Sequence, residues 1–373
     1  MLTEKRKFKI NLKNLNYVLQ HPSILKNILQ GKSREEIRAN ARRLNELQVE
    51  RGYLQESQKF ISSLKKTSPY YTGTNYQPKL NRLCYIEDWD NKEFKNILKE
   101  LQTTTYDTYI NRKEWRIPTK QTILNTNRNS GFIHRKDWEW TLGIIAMKRF
   151  NKLNDKCRAI DIGAGREEVL FYLANHLKHV YATDLYDGKE WHNFALSDFP
   201  ENPKKYAPFP YKEDALTVLR MNGTRLEFPS ETFDIAFSFS SIEHFGGENH
   251  EGALKSLREM ERVLKKDGIA VIATEYIIND KEHPEFFNRK TIYSDLIDKL
   301  DSLKLVEPLD LRITTKTLDT VMDFETALDT VMDFETALKL DILDNSFKKW
   351  HPLILLRVKN ILVTSVMLIF QKK

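Results

Sequence analysis

The residues of this chain whose types and spacing point most directly to chemistry are two glycines after an apolar run, with a carboxylate just before them. Ala159-Ile160-Asp161-Ile162 leads into Gly163-Ala164-Gly165, and Arg166-Glu167-Glu168 open a helical pattern. Without side chains, the glycines let backbone approach a ligand closely where a helix begins. Asp184 follows 19 residues after Gly165 and ends the next apolar run. An acid there can accept hydrogen bonds from both hydroxyls of an adenosine ribose.

That spacing says adenosine, and charge says which adenosine. A nicotinamide dinucleotide would set its pyrophosphate on the helix N-terminus, where amide donors and the helix dipole favour anions. Here Asp161, Glu167 and Glu168 surround that point, and Glu168 replaces the third glycine of a dinucleotide loop. Three carboxylates repel a pyrophosphate but attract the sulfonium and ammonium of S-adenosylmethionine, with Arg166 tempering the field. S-adenosyl-L-methionine is therefore the expected cofactor, and Asp161, Gly163, Ala164, Gly165, Asp184 and Leu185 its expected contacts. Beyond the fourth apolar run lies Ser240-Ser241-Ile242-Glu243-His244. An imidazole there, on the carboxyl edge of an open α/β sheet, suits proton removal at neutral pH. His244 is the expected base, or else a helix-start residue shaping the pocket; Glu243 would orient it or bind substrate. Arg135 and Lys136 would hold a carboxylate or an anionic acceptor, and Trp191 lies in an aromatic loop, residues 187–213, placed to close over the acceptor.

These residues need strands to position them. Apolar runs predict strands at Cys157–Ile162, His179–Asp184, Leu216–Met221, Phe233–Phe239, Ile269–Thr274, about Leu303–Leu311 and Ile361–Phe370, with helices over Asp137–Phe150, Glu167–Leu177 and Gly252–Leu264. Alternating β and α patterns predict an α/β fold with a mostly parallel sheet from about residue 131 to 373. Residues 1–130 read as a helical accessory region followed by a linker or cap rich in Pro, Thr, Asn and Tyr.

On these motifs the chain resembles the class I S-adenosylmethionine-dependent methyltransferases. Asp161, Gly163 and Gly165 match that family's D-x-G-x-G loop, and Asp184 its ribose-binding acid. Asn222 and Gly223 stand where an acid commonly contacts the adenine amino group, and Thr364-Ser365-Val366 fits an antiparallel last strand. The resemblance implies a Rossmann-like, seven-stranded sheet and adds Asn222, Gly223 and Ser240 to the expected cofactor contacts. More narrowly, His134 to Glu139, the Gly-Arg-Glu loop, Ser240 to Gly247 and Thr274-Glu275 resemble bacterial members linked with surface polysaccharide biosynthesis. Glu243-His244 is similar to the metal-binding pair of ubiquinone-pathway O-methyltransferases. Ser240 replaces their further glutamate, so no metal is expected.

Composition sets the outer bounds. The chain has 373 residues, 40% hydrophobic and 30% charged, which is ordinary globular material. Cys84 and Cys157 are the sole cysteines, too few for a disulfide framework, so a reducing cytoplasmic setting is expected. The net charge is +7, with much of the excess in the first fifty residues, interleaved with glutamates as on a solvated helix. The apolar end, Ile361–Phe370, falls far short of the roughly 20 residues that span a bilayer, so no transmembrane segment is expected.

The reading that follows is a methyltransferase acting on an oxygen of a sugar or similar small molecule or glycan, with residues 1–65 left for a protein partner. RNA methylation is the enzymatic alternative prompted by the basic helices, against which no RNA-binding module is recognisable. A nucleoside-binding scaffold for a glycan-assembly partner is the non-catalytic one. Leu318–Ala327 reads LDTVMDFETA and is repeated without change as Leu328–Ala337. Ten residues turn a helix by about 1000°, leaving the copies on different faces, so the duplication reads as a surface excursion.

Overall fold

The computed structural model describes residues 34–67, 70–111, 134–187, 195–323 and 353–373. The chain forms two compact units, Met1–Lys59 and Phe60–Lys373. The described part of the first is helical, the opening of α1 (Arg34–Thr67).

In the second unit the order is β1 (Tyr71–Gly73), β2 (Arg82–Leu83), α2 (Lys92–Asn111), α3 (Arg135–Arg149), β3 (Arg158–Ile162), α4 (Val169–His176), β4 (His179–Asp184), β5 (Leu216–Arg220), β6 (Phe233–Phe239), α5 (Glu251–Val263), β7 (Leu264–Ile277), β8 (Leu303–Leu305), β9 (Ile313–Thr314), β10 (Met322–Asp323), β11 (Leu356–Val358) and β12 (Ile361–Lys372). The main sheet runs β10-β11-β12-β7-β6-β3-β4-β5, with β2 and β8 also on β12. From β7 to β5 all neighbours are parallel. β12 is antiparallel to β7, with Ser365 opposite Glu275.

Parallel strands are covered on both faces and therefore read as unbroken apolar runs. β6, Phe-Asp-Ile-Ala-Phe-Ser-Phe, and the central part of β7 are buried along nearly their whole length. α5 buries Ala253, Leu254, Leu257, Met260 and Val263, the spacing of one helix stripe. The chain passes from β3 outward through β4 to β5 and then returns to the other side of β3 as β6. Strand order thus reverses between β3 and β6, the place where open α/β sheets hold ligands.

Several expectations are corrected. Among the described residues the sheet has ten strands rather than seven. The strand expected to about Leu311 stops at Leu305. Asp267-Gly268, between the expected helix and strand, lies inside β7, which starts directly after α5; Asp267 adopts φ +61° there, and the pairing with β6 slips between Phe233 and Ile235. Of the duplicated decapeptide, Leu318 and Thr320 are buried and Met322–Asp323 pairs with Leu356–Arg357, so the opening of the first copy is no surface excursion. The second copy lies outside the described residues.

The largest departure concerns residues 71–101, read as linker or cap. They are built into the sheet unit. Arg82 and Leu83 pair with Met367 and Val366 of β12. Behind them the Asp88 carboxylate accepts hydrogen bonds from Arg82 Nη1 and Nη2, each at 2.6 Å, from Tyr76 Oη at 2.5 Å and from Trp138 Nε1 at 2.7 Å. Four donors satisfy both oxygens, which lets a fully buried ion pair persist.

Removing one partner would strand the other charge. Asp88→Ala is expected to cost about 3–5 kcal/mol in denaturant unfolding, because Arg82 stays buried and unpaired. Trp138→Phe, which deletes one donor to a charged acceptor, should cost about 1.5–3 kcal/mol. A smaller loss for Asp88→Ala than for Trp138→Phe would mean that the ion pair is not what ties this segment down.

Candidate functional site

Gly163 and Gly165 follow β3 and both take positive φ, +75° and +49°. The amides of Gly163 and Ala164 donate to Thr183 O of β4 at 2.8 and 3.0 Å, fastening the turn to the neighbouring strand. A Cβ on Gly163 would lie 2.6 Å from Ser241 Cβ, and one on Gly223 would lie 2.6 Å from the Phe245 ring, so neither position has room for a side chain. Phe245, which the sequence reading did not single out, thus packs against both glycine segments. Its signal was present, an aromatic directly after the Glu-His pair, yet only folding brings it to Gly223.

Asp184 ends β4: its Oδ2 accepts from Gly165 N of the turn at 2.9 Å and its Oδ1 from the following amide, Leu185 N, at 2.7 Å. Burial pushes its carboxyl up from the ordinary value despite those bonds. The Tyr186 hydroxyl donates to Gly165 O at 2.6 Å. Leu185, the residue between them, is an exposed large hydrophobe. Each Asp184 oxygen keeps lone-pair capacity for a further donor.

Asp161 is fully buried, and neither of its carboxylate oxygens has a hydrogen-bond partner. Burial, then the charge of Glu167, pushes its pKa well above the usual carboxylate range, with Lys136 opposing. Glu167 is likewise raised by burial, although Lys136 Nζ lies 2.7 Å from its Oε1 and Trp140 Nε1 donates to its Oε2 at 3.2 Å. A buried carboxylate without partners is costly unless a cation or donor reaches it.

Lys136 and Arg135, expected to hold an anionic group, are committed elsewhere. Lys136 Nζ donates to Phe239 O at 2.7 Å and lies 3.2 Å from Glu139 Oε2. Arg135 is paired with Glu275. Glu139 in turn accepts from Ser240 Oγ at 2.8 Å and Ser365 Oγ at 2.5 Å. Burial alone would raise the Glu139 carboxyl; Lys136 and Arg135 outweigh it and hold it below the usual value. Ser240, expected at the cofactor, thus spends its hydroxyl on Glu139 and takes φ +52°.

Glu243 and His244 are neighbours in sequence whose side chains part company. Glu243 is 3% exposed; its Oε2 accepts from Thr274 Oγ1 at 2.9 Å and its Oε1 has no partner. Burial, then the charge of Glu275, pushes its pKa up to about 8. The expectation that Glu243 orients His244 is therefore corrected: the acid on His244 is Glu285, with Oε2 3.1 Å from Nδ1. Nothing in the spacing announced a partner 41 residues away. Asn222 is exposed, and its Oδ1 accepts from the amide and hydroxyl of Thr224 at 2.9 and 2.8 Å. Trp191 lies outside the described residues. The described part of its loop, from Ala195, sets Phe199, Phe209 and Tyr211 edge-to-face around Phe171 of α4. Among the described residues, no group of His, Cys, Asp and Glu side chains is arranged to hold a metal ion. Nor is any helix there long and apolar enough to cross a membrane.

Residues 160–272 match the sequence model of a methyltransferase domain. No curated protein matches the chain. Among solved structures, the YcgJ protein of Bacillus subtilis is similar at 15% identity, over 62% of this chain and 98% of that one, with a TM-score of 0.38. A candidate sarcosine dimethylglycine methyltransferase of Galdieria sulphuraria is similar at 13% identity, over 74% and 98%, with a TM-score of 0.41. Phosphoethanolamine N-methyltransferase 2 of Haemonchus contortus, solved with S-adenosyl-L-methionine, is similar at 14% identity, over 75% and 60%, with a TM-score of 0.39. At these values the likeness assigns neither activity nor substrate.

Glu243 gives the site a pH signature. Its carboxyl is raised from 4.5 to about 8 on folding, so between those values the unfolded chain has released a proton that the native state keeps. Stability should therefore fall as pH rises through that window and level off above it. Glu243→Gln should flatten this slope in denaturant titrations from pH 4 to 9. A slope unchanged in the variant would show that other groups carry it.

Proposed function

We propose that residues 131–373 carry an S-adenosylmethionine-dependent methyltransferase that methylates an oxygen of a sugar or related small metabolite. The observation that carries the reading is Asp161: a fully buried carboxylate with two unpartnered oxygens at the strand-order reversal, beside Glu167 and near Asp184. Such a site is unfavourable empty and is relieved by a cation, which fits a sulfonium nucleoside and not a pyrophosphate.

The residues divide the work. Asp161 faces the cationic part, Asp184 takes the ribose hydroxyls, and Gly163, Ala164 and Gly165 give the backbone its close approach, with Leu185, Gly223 and Asn222 around the base and Ser240 at the methionine end. When bound, S-adenosylmethionine supplies a methyl carbon already activated by the sulfonium. The protein's share is then mainly placement of the two reactants. His244 takes the proton from the acceptor hydroxyl, and the aromatic loop that includes Trp191 helps exclude water. Glu243, buried against Thr274, does not act on His244. Arg135 reaches the acceptor only at the expense of Glu275, so its part is to hold that acid.

Calorimetry tests the cofactor first. S-adenosylmethionine should bind with release of protons, because the arriving cation pulls the raised Asp161 carboxyl down, and affinity should rise with pH; titrations in buffers of different ionisation enthalpy measure this. Binding of NADH with no response to S-adenosylmethionine would overturn the reading. Asp184→Ala should weaken binding by about 10–100-fold, the worth of hydrogen bonds to a charged group. His244→Ala should cut turnover on a panel of neutral and amino sugars by about 100-fold or more, with cofactor affinity kept. If His244→Ala mainly loosens the cofactor, the base assignment fails.

A further inference from the structure

We propose that a hollow shared by Thr74, Glu87 and Lys316 is a binding site for a small organic ammonium ion, with Glu87 as the group that takes the charge. The hollow has no residue in common with the glycine-turn site, and the proposal stands apart from the functional reading above.

The first support is the wall. A cavity of about 360 Å³ is lined by Thr74, Tyr76, Glu87, Asp90, Asn91 and Lys316, a volume within the range of small-molecule pockets. Three segments build it: the chain just after β1, the turn Ile86–Asp90 with Asn91, and the helical turn Thr315–Leu318. They lie far apart in sequence and are tied together directly. β1 pairs with β9, the Ile86 amide donates to Thr317 Oγ1 at 3.2 Å, and the Tyr85 hydroxyl donates to Arg312 O at 2.6 Å. The cavity is thus formed before a ligand arrives.

The second support is an unbalanced charge. Glu87 is 9% exposed, and its Oε2 accepts from the hydroxyls of Thr314 and Thr317 at 3.0 and 3.1 Å. Among the described residues, its Oε1 has no hydrogen-bond partner and no cation pairs with the carboxylate. That oxygen is not sealed in as those of Asp161 are, so it is the unused acceptor that Glu87 brings to the cavity. The adjacent acid, Asp88, holds Arg82, and the buried Glu139, Glu275 and Asp310 are matched by Lys136, Arg135 and Arg312. Lys316 is exposed and reaches Asp90 at 3.9 Å rather than Glu87. A buried carboxylate calls for a paired cation, and for Glu87 that cation comes from outside the chain.

The class of cation follows from the lining. Among the described residues no group of acids, histidines and cysteines is arranged to hold a metal ion, so the ligand is organic. One ammonium hydrogen fits Glu87 Oε1, and the exposed Thr74 hydroxyl can accept another. The Tyr76 hydroxyl is spent on Asp88, so this residue adds its ring, a surface for the carbon part of the ligand. A phosphate or carboxylate would meet the repulsion of Glu87, and a neutral hydroxyl would leave its charge unmatched.

Saturation-transfer NMR titration of the full-length protein tests the site, with ethylammonium as probe, ethanol as its neutral counterpart and inorganic phosphate as the anion. Ethylammonium should bind and the other two should not. Glu87→Gln should weaken ethylammonium binding by about 10–100-fold, the worth of a hydrogen bond to a charged group. Lys316→Met removes a repelling charge from the rim and should tighten it by about 2–5-fold at low salt, the size of an exposed charge effect. Ethanol or phosphate binding as well as ethylammonium, an unchanged titration in Glu87→Gln, or weaker binding in Lys316→Met would overturn the proposal. Should Glu87→Gln fail to fold, the sign of the Lys316→Met change decides. Loss of S-adenosylmethionine binding bears on the glycine-turn site alone, so the two readings fail separately.

Discussion

One ammonium group holds the site region together. Lys136 Nζ, in the first turn of α3, reaches the last carbonyl of β6, Glu139 on its own helix and Glu167 beyond the glycine turn. Those contacts fix the distance between the helix and the carboxyl ends of β3 and β6. Glu139 extends the link to Ser240 and to Ser365 of β12, so four separate segments meet through one short relay of charge. Buried charges persist when each is paired and hydrogen-bonded, and this relay meets that condition for Lys136 and Glu139.

Asp161 is the group the relay leaves out. It is as buried as Glu139 but has no donor, and its carboxyl is raised where that of Glu139 is lowered. The same desolvation that a paired acid tolerates becomes, for an unpaired one, a preference for something positive from outside. An internal cationic partner for Asp161 would stabilise its carboxylate and remove that preference.

The parallel strands were legible in sequence because their burial is two-sided and leaves continuous apolar runs. The Asp-Gly-Gly turn and Asp184 were legible because a strand, a turn and a helix follow one another within a few residues. The integration of Tyr71–Leu101 was not, since what ties it down lies far along the chain: Trp138 donates to Asp88, and the backbone of Arg82 and Leu83 pairs with Met367 and Val366. Arg135 and Lys136 looked available for the same reason: Glu275 and Glu167 are invisible to local pattern. Local spacing also suggested that Glu243 serves His244, because it sees neighbours in the chain and not the opposite directions their side chains take.

By itself the sequence determined the α/β class, the glycine turn after the first parallel strand and the sign of the charge around it, all properties of residues close together in the chain. Which carboxylates are neutralised, which remains without a partner, and which acid meets His244 were decided by tertiary structure alone. Pairing in a buried site depends on distances of about 3 Å between segments tens to hundreds of residues apart, and no local periodicity encodes those distances.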